Sequence, residues 1–237
     1  MTLDQYFISV EIQTVLSAIV AVLSWIRFRS RSLTVRLVGL MFLTGCLANV
    51  FGLVLLRSGT FRSYQNAAGV VYLIISMVCM SYIYFVILFR KKKWFILITG
   101  ILLVFSFINF FFIQKLAVNS YSITFLSVIV IACCLYYFHV LLRDLPSVYV
   151  HQLPMFWFNS SFLIYFAGNF FLFSFQSYLV NVLRNNMIIF WSFHNILSII
   201  EHIIVLIGLV YDLRMIKPRF GMYGVHPEQG IPSKRIV

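Results

Sequence analysis

Charge is what this sequence has least of. Asp, Glu, Lys and Arg make up 10% of its 237 residues, against about 25% in an ordinary soluble domain, so a water-solvated fold is excluded. Proline is confined to positions 146, 154, 218, 227 and 232, all outside the long apolar runs. The interrupted helices that mark many transporters are therefore not expected. Cysteine occurs four times, as Cys46, Cys79, Cys133 and Cys134, always within an apolar run and never in a loop. That leaves no disulfide framework and reads the thiols as small core residues. No Lys lies between Met187 and Tyr211, so the last helix offers no amine for a retinal Schiff base.

What the chain has instead is apolar length. Apolar residues make up 62% of the sequence, and they gather near 6–27, 34–57, 66–90, 94–114, 121–142, 155–181 and 187–211. About 20 helical residues cross a hydrocarbon core of roughly 30 Å, and each run meets that length. Barrel strands would alternate in character every second residue, which 95–113 does not do. The predicted fold is therefore an all-α integral membrane protein, a seven-transmembrane-helix bundle over 1–211 with a basic, flexible tail over 212–237. The first run is expected to be a retained helix rather than a leader peptide, because Asp4 and Glu11 precede the first basic residue, Arg27.

Net charge is +12, but its placement argues for topology rather than a nucleic-acid partner. Fourteen of the 18 basic residues fall in alternate loops and the tail, around 27–36, 90–93, 143 and 214–235. Only Arg57, Arg62, Lys115 and Arg184 lie on the other side. Basic residues of short loops stay cytoplasmic, so the N-terminus is expected outside and the C-terminus in the cytoplasm of a bacterial inner membrane, multi-pass. Trp25, Trp94 and Trp157 fall at the predicted cytoplasmic ends, where indoles favour the headgroup layer. Membrane lipids are expected partners, the basic tail resting on an anionic leaflet.

Chemistry concentrates in the seventh run. At 100° per residue, Trp191, His194, Ser198 and Glu201 share one stripe, with Asn195 and His202 beside it. Glu201 lies roughly 15 Å from Asp212 along the helix, near the midplane, where a carboxylate costs several kcal/mol unless paired, hydrated or neutralised. An ionisable group at that depth reads either as a ligand or proton site or as a buried hydrogen bond that fixes packing. Asn49 and Asn169 approach the same depth. Glu11 matches His194 in depth, and a contact between them is expected if the first and last helices adjoin. Tyr165 and Asn169 give the sixth run a polar side. In the second run Gly45, Ala48, Asn49 and Gly52 form a small-residue seam suited to close packing.

A metal centre is the alternative. Zinc takes three or four N, O or S ligands, and His194, Glu201 and His202 are the available set, although His194 and His202 stand more than two turns apart. Intramembrane hydrolases of the ceramidase kind add an Asp, and no Asp lies in any apolar core here. A b-type haem would need a second axial His at matching depth. No cofactor is therefore expected in the favoured reading, zinc in the alternative, and retinal in neither.

The strings NSSFLIYFAGNFFLF and WSFHNILSIIEHIIVLIGL resemble small seven-helix bacterial membrane proteins that accompany two-component histidine kinases. The resemblance implies a sensory or scaffold role, with a ligand, lipid or proton bound in the bundle and a membrane partner, such as a histidine kinase, met on the cytoplasmic side. It carries over no functional residue. A metal-dependent hydrolase and, third, a transporter or channel subunit are the other readings, and a homo-oligomer is compatible with each.

Overall fold

The computed structural model describes residues 3–58, 62–115, 119–144, 149–176 and 187–216. Every regular element among them is helical. Seven helices are long and apolar enough to cross a membrane, as in a multi-pass membrane protein. They are α1 (Leu3–Trp25), α2 (Leu33–Ser58), α3 (Arg62–Ser81, widening into a π-helix over Tyr82–Leu88), α4 (Lys92–Ile108, widening over Asn109–Ile113), α5 (Ser120–Asp144), α6 (Pro154–Ser174) and α7 (Met187–Ile216). Sequence neighbours pack against each other, and α7 returns to α1, so the seven close into a ring.

Each helix sorts its residues by face. On α1 the outward row is Ile8, Ile12, Val15, Ile19 and Val22, while Ser9, Ser17, Val20 and Ser24 are buried. An aqueous surface would not carry apolar area on this scale; lipid explains it. Serine suits the inward side because lipid supplies no hydrophobic drive between helices, and small hydroxyl residues permit close approach. Ser17 Oγ donates to the Phe42 carbonyl at 2.8 Å, joining α1 to α2. Glycine does the same for α6 and α7: a Cβ on Gly208 would stand 2.7 Å from the Phe158 ring. The small-residue seam of α2 has the expected packing use at Gly45, where an added Cβ would come within 3.2 Å of the Tyr72 ring on α3.

The bundle's core is apolar toward one end. Val35, Val38, Met77, Met80, Ile83, Phe158, Phe162, Val205 and Leu209 are all buried there, within one contiguous cluster. That end also carries the turns at 26–32 and 89–91, with their arginines and lysines, and is called the basic end below.

Three boundaries differ from the expectation. The seventh helix does not stop before Asp212 but runs on to Ile216, because Asp212 is held inside the bundle by Arg31. The tail from Lys217 onward lies outside the described residues. The sixth helix ends at Ser174, where the Phe175 amide bonds back to Phe171 O and the backbone leaves helical geometry. And α3 and α4, though unbroken, do not remain α-helical. Phe89 N–H reaches Tyr84 O at 2.8 Å, and Gln114 N–H reaches Asn109 O at 2.8 Å, both five residues back.

Candidate functional site

The polar face of α7 turns inward. Asn195, Ser198, Glu201 and His202 are all buried, while Phe193, Ile196, Ile200 and Ile203 cover the outside. Periodicity alone produces this split, since residues three and four apart share a helix face.

At the centre stands Glu201, 6% exposed. Its carboxyl lies within electrostatic reach of the Tyr72 hydroxyl on α3 and the Tyr165 hydroxyl on α6. Ser198, one turn earlier on α7, adjoins Tyr165. Among the described residues Glu201 forms no ion pair and no direct hydrogen bond. Ser76, a turn beyond Tyr72, is buried with its hydroxyl beside that of Tyr72. This is a buried acid among hydroxyls from three helices, with no cation beside it among the described residues.

The two histidines of α7 take separate roles. His202 donates from Nδ1 to the Ser198 carbonyl; a carbonyl only accepts, so Nδ1 carries a proton. Its ring meets Phe42 of α2 edge-on at 4.7 Å. His194 is half-buried and pairs through Nδ1 with Asn169 Oδ1 at 2.7 Å. Rings of Tyr165, Phe173 and Trp191 surround it at 5.5–5.9 Å. Asn169 completes its own bonds by donating to Tyr165 O at 2.9 Å. His194 is thus held by Asn169 and lies against the Tyr165 ring, while the Tyr165 hydroxyl faces Glu201; no chain of hydrogen bonds joins His194 to Glu201 among the described residues.

Not every expected member joins. Glu11 is exposed, on the outward row of α1, and the imidazole of His194 bonds Asn169 instead. The expected Glu11–His194 contact does not form, although α1 and α7 do adjoin. Equal depth left rotation about the helix axis unspecified, and rotation decides this contact. The α1–α7 link is instead Asn195 Nδ2 donating to Ser9 Oγ at 2.9 Å. Asn49 is half-buried on α2 and makes no hydrogen bond to Glu201. His194, Glu201 and His202 do not converge as a three-ligand group; among the described residues no three His, Cys, Asp or Glu side chains do.

Two constellations escaped the sequence reading. At the basic end Arg31 is buried, with Nη1 paired to Asp212 of α7, Nη2 on Leu23 O at 2.8 Å and Nε on Ile26 O at 3.2 Å. It therefore caps the last carbonyls of α1 while holding α7. Nothing local separates Arg31 from Arg27 and Arg29. The available signal was Asp212, a lone acid directly after a long apolar run, which demands a partner. The second is Tyr84 of α3, whose hydroxyl donates to Asn159 Oδ1 of α6 at 2.8 Å and touches Cys134 Sγ of α5 at 3.0 Å.

Compared with known protein families, curated proteins and solved structures, the chain matches none.

Proposed function

We propose that the chain is a sensory or scaffold protein of a bacterial inner membrane, N-terminus outside and C-terminus cytoplasmic. In this reading the centre formed by Glu201, Tyr72, Tyr165, His194 and Asn169 takes up a proton, a small polar ligand or a lipid headgroup. The observation that carries it is Glu201, a buried carboxyl with three helices around it and no cationic partner among the described residues. A structural carboxyl gains by being paired; one left unpaired responds to whatever neutralises it.

The same helix that presents Glu201 also ends on Arg31. A change in neutralisation alters how α7 packs on α3 and α6, and α7 carries that change to the 26–32 turn through Asp212. A membrane partner, a histidine kinase for example, reads the turn from the cytoplasmic side. The switch needs a ligand that favours one packing over the other. A proton does so here, because it removes a charge from a site without a counter-charge. The ionisable groups facing Glu201 are Tyr72 of α3 and Tyr165 of α6; His202, next to it in the chain, turns to the Ser198 carbonyl and the Phe42 ring.

The test uses the reconstituted protein across a pH series. Infrared difference spectra should contain a carboxyl band that Glu201→Gln removes. Hydrogen exchange of the 26–32 turn should depend on pH in the wild type and not in Glu201→Gln. Equal pH dependence in both proteins would overturn the proposal.

A further inference from the structure

The sequence carries no Asp or Glu between Glu11 and Asp144, so α2, α3 and α4 bring cations to the basic end without a single acid. Among the described residues the two acids at that end are both engaged, Asp212 by Arg31 and Asp144 by its neighbour Arg143. Arg31 and Arg36 find partners inside the protein, Arg31 as described above and Arg36 on the Arg31 carbonyl and the face of Phe28. The turn between α3 and α4 has no acid to meet. Arg90, Lys91, Lys92 and Lys93 are consecutive and exposed, and none of them enters an ion pair among the described residues.

Backbone geometry gathers these four side chains. Lys91 N–H donates back to Phe85 O at 2.6 Å, closing the π-helical end of α3, and Arg90 takes the left-handed conformation at φ 55°. The chain thereby reverses within a few residues and runs directly into α4. The result is an open hollow of about 590 Å³ lined by Val86, Arg90, Lys91, Lys92, Lys93 and Trp94. From its floor α4 presents one apolar stripe: Trp94, Leu97, Ile101 and Val104 recur at three- and four-residue spacing and are each about half exposed.

We propose that this hollow binds the phosphate headgroup of an anionic phospholipid, of the phosphatidylglycerol kind, with its acyl chains laid along the stripe from Trp94 to Val104. Four cations at the end of a membrane-spanning helix attract a lipid anion, each contributing about a fivefold factor in affinity near the surface. Topology alone asks for basic residues on this side; a lipid anion is what neutralises them once the protein's own acids are engaged elsewhere. The stripe selects lipid over a soluble anion, because free phosphate has nothing to place there. Trp94 joins the two parts, its indole suited to the headgroup layer. The site is separate from the Glu201 centre and does not depend on the role given to that centre.

Native mass spectrometry of the full chain in detergent, titrated with phosphatidylglycerol and with phosphatidylcholine of the same acyl chains, tests this directly. Saturable binding of phosphatidylglycerol is expected, on the order of a hundredfold tighter than that of phosphatidylcholine. Lys92→Gln should weaken it about fivefold, and Lys91→Gln, Lys92→Gln and Lys93→Gln together about a hundredfold. All three positions are exposed, so the unfolding temperature of these variants should match the wild type. Lys217→Gln, Lys234→Gln and Arg235→Gln together, which take the same charge from the tail, should leave binding intact. Three results would overturn the proposal: equal affinity for the two lipids; equal losses in the turn and tail variants, which would mark diffuse attraction; or release of the lipid by millimolar inorganic phosphate, which would mark a site for soluble anions.

Discussion

Arg31 and Glu201 are opposite answers to the same problem of charge in a low-dielectric bundle. Arg31 is matched by Asp212 and by two carbonyls of α1, whereas Glu201 meets only hydroxyls. Breaking a buried pair strands the surviving charge, so Arg31→Met should destabilise the protein by about 3–5 kcal/mol. The double variant Arg31→Met with Asp212→Leu should recover most of that loss, since two apolar side chains leave no charge behind. Thermal unfolding in detergent measures both. Glu201→Gln carries no such penalty, and its unfolding temperature should equal or exceed the wild-type value. The sequence already displayed Glu201, His194 and Ser198 as an inward stripe, because helical period alone dictates a shared face. It did not display Arg31, because four arginines within ten residues look alike until the fold buries one of them.

At the scale of elements, close approach marks two seams, α1–α2, where a Cβ on Gly39 would stand 2.6 Å from Ser24 Cβ, and α6–α7. A Cβ on Gly208 would meet the rigid Phe158 ring at 2.7 Å, whereas one on Gly168 would meet the flexible end of Leu197 at 2.7 Å. Gly208→Ala should therefore cost about 1–3 kcal/mol through overpacking. Gly168→Ala should cost less, since Leu197 can change rotamer. Gly100, on lipid-facing α4, has nothing within 4 Å of an added Cβ; Gly100→Ala should stabilise by up to about 1 kcal/mol through helix propensity. Ranking the three variants by thermal unfolding checks the α6–α7 geometry. Helix existence was legible from apolar length, and the span limits fell close to the observed ones except at the C-terminal ends of α6 and α7. The π-helical ends were not, because they go with side-chain bonds to other helices, Tyr84 to Asn159 of α6 and Asn109 to Asn119 at the start of α5, which helical period does not display.

Taken whole, the molecule is graded along its axis. Polar clusters occupy the middle and one end, while an apolar plug containing Val205, Leu209, Phe158 and Phe162 fills the approach to the basic end. The proposed orientation makes that end cytoplasmic and predicts a labelling pattern. In intact cells a membrane-impermeant maleimide should modify Lys115→Cys and leave Ser30→Cys unmodified until the membrane is opened. The reverse pattern would invert the topology and with it the direction of the proposed signal. Sequence carried the bundle, through hydropathy and the asymmetry of basic loops. The partners of each buried polar group were out of reach, since depth constrains one coordinate and rotation about each helix axis another.

The clasp between Arg31 and Asp212 also sets a schedule for biogenesis. Its two halves are 181 residues apart, so at about 5–20 residues per second the ribosome takes roughly ten to forty seconds to deliver the second after the first. Throughout that interval the nascent chain holds an arginine without its acid, at the lip of an unclosed ring. Any product truncated before the end of α7 keeps that defect permanently, and an unmatched arginine at the open end of the bundle is a mark that separates an unfinished chain from a finished one.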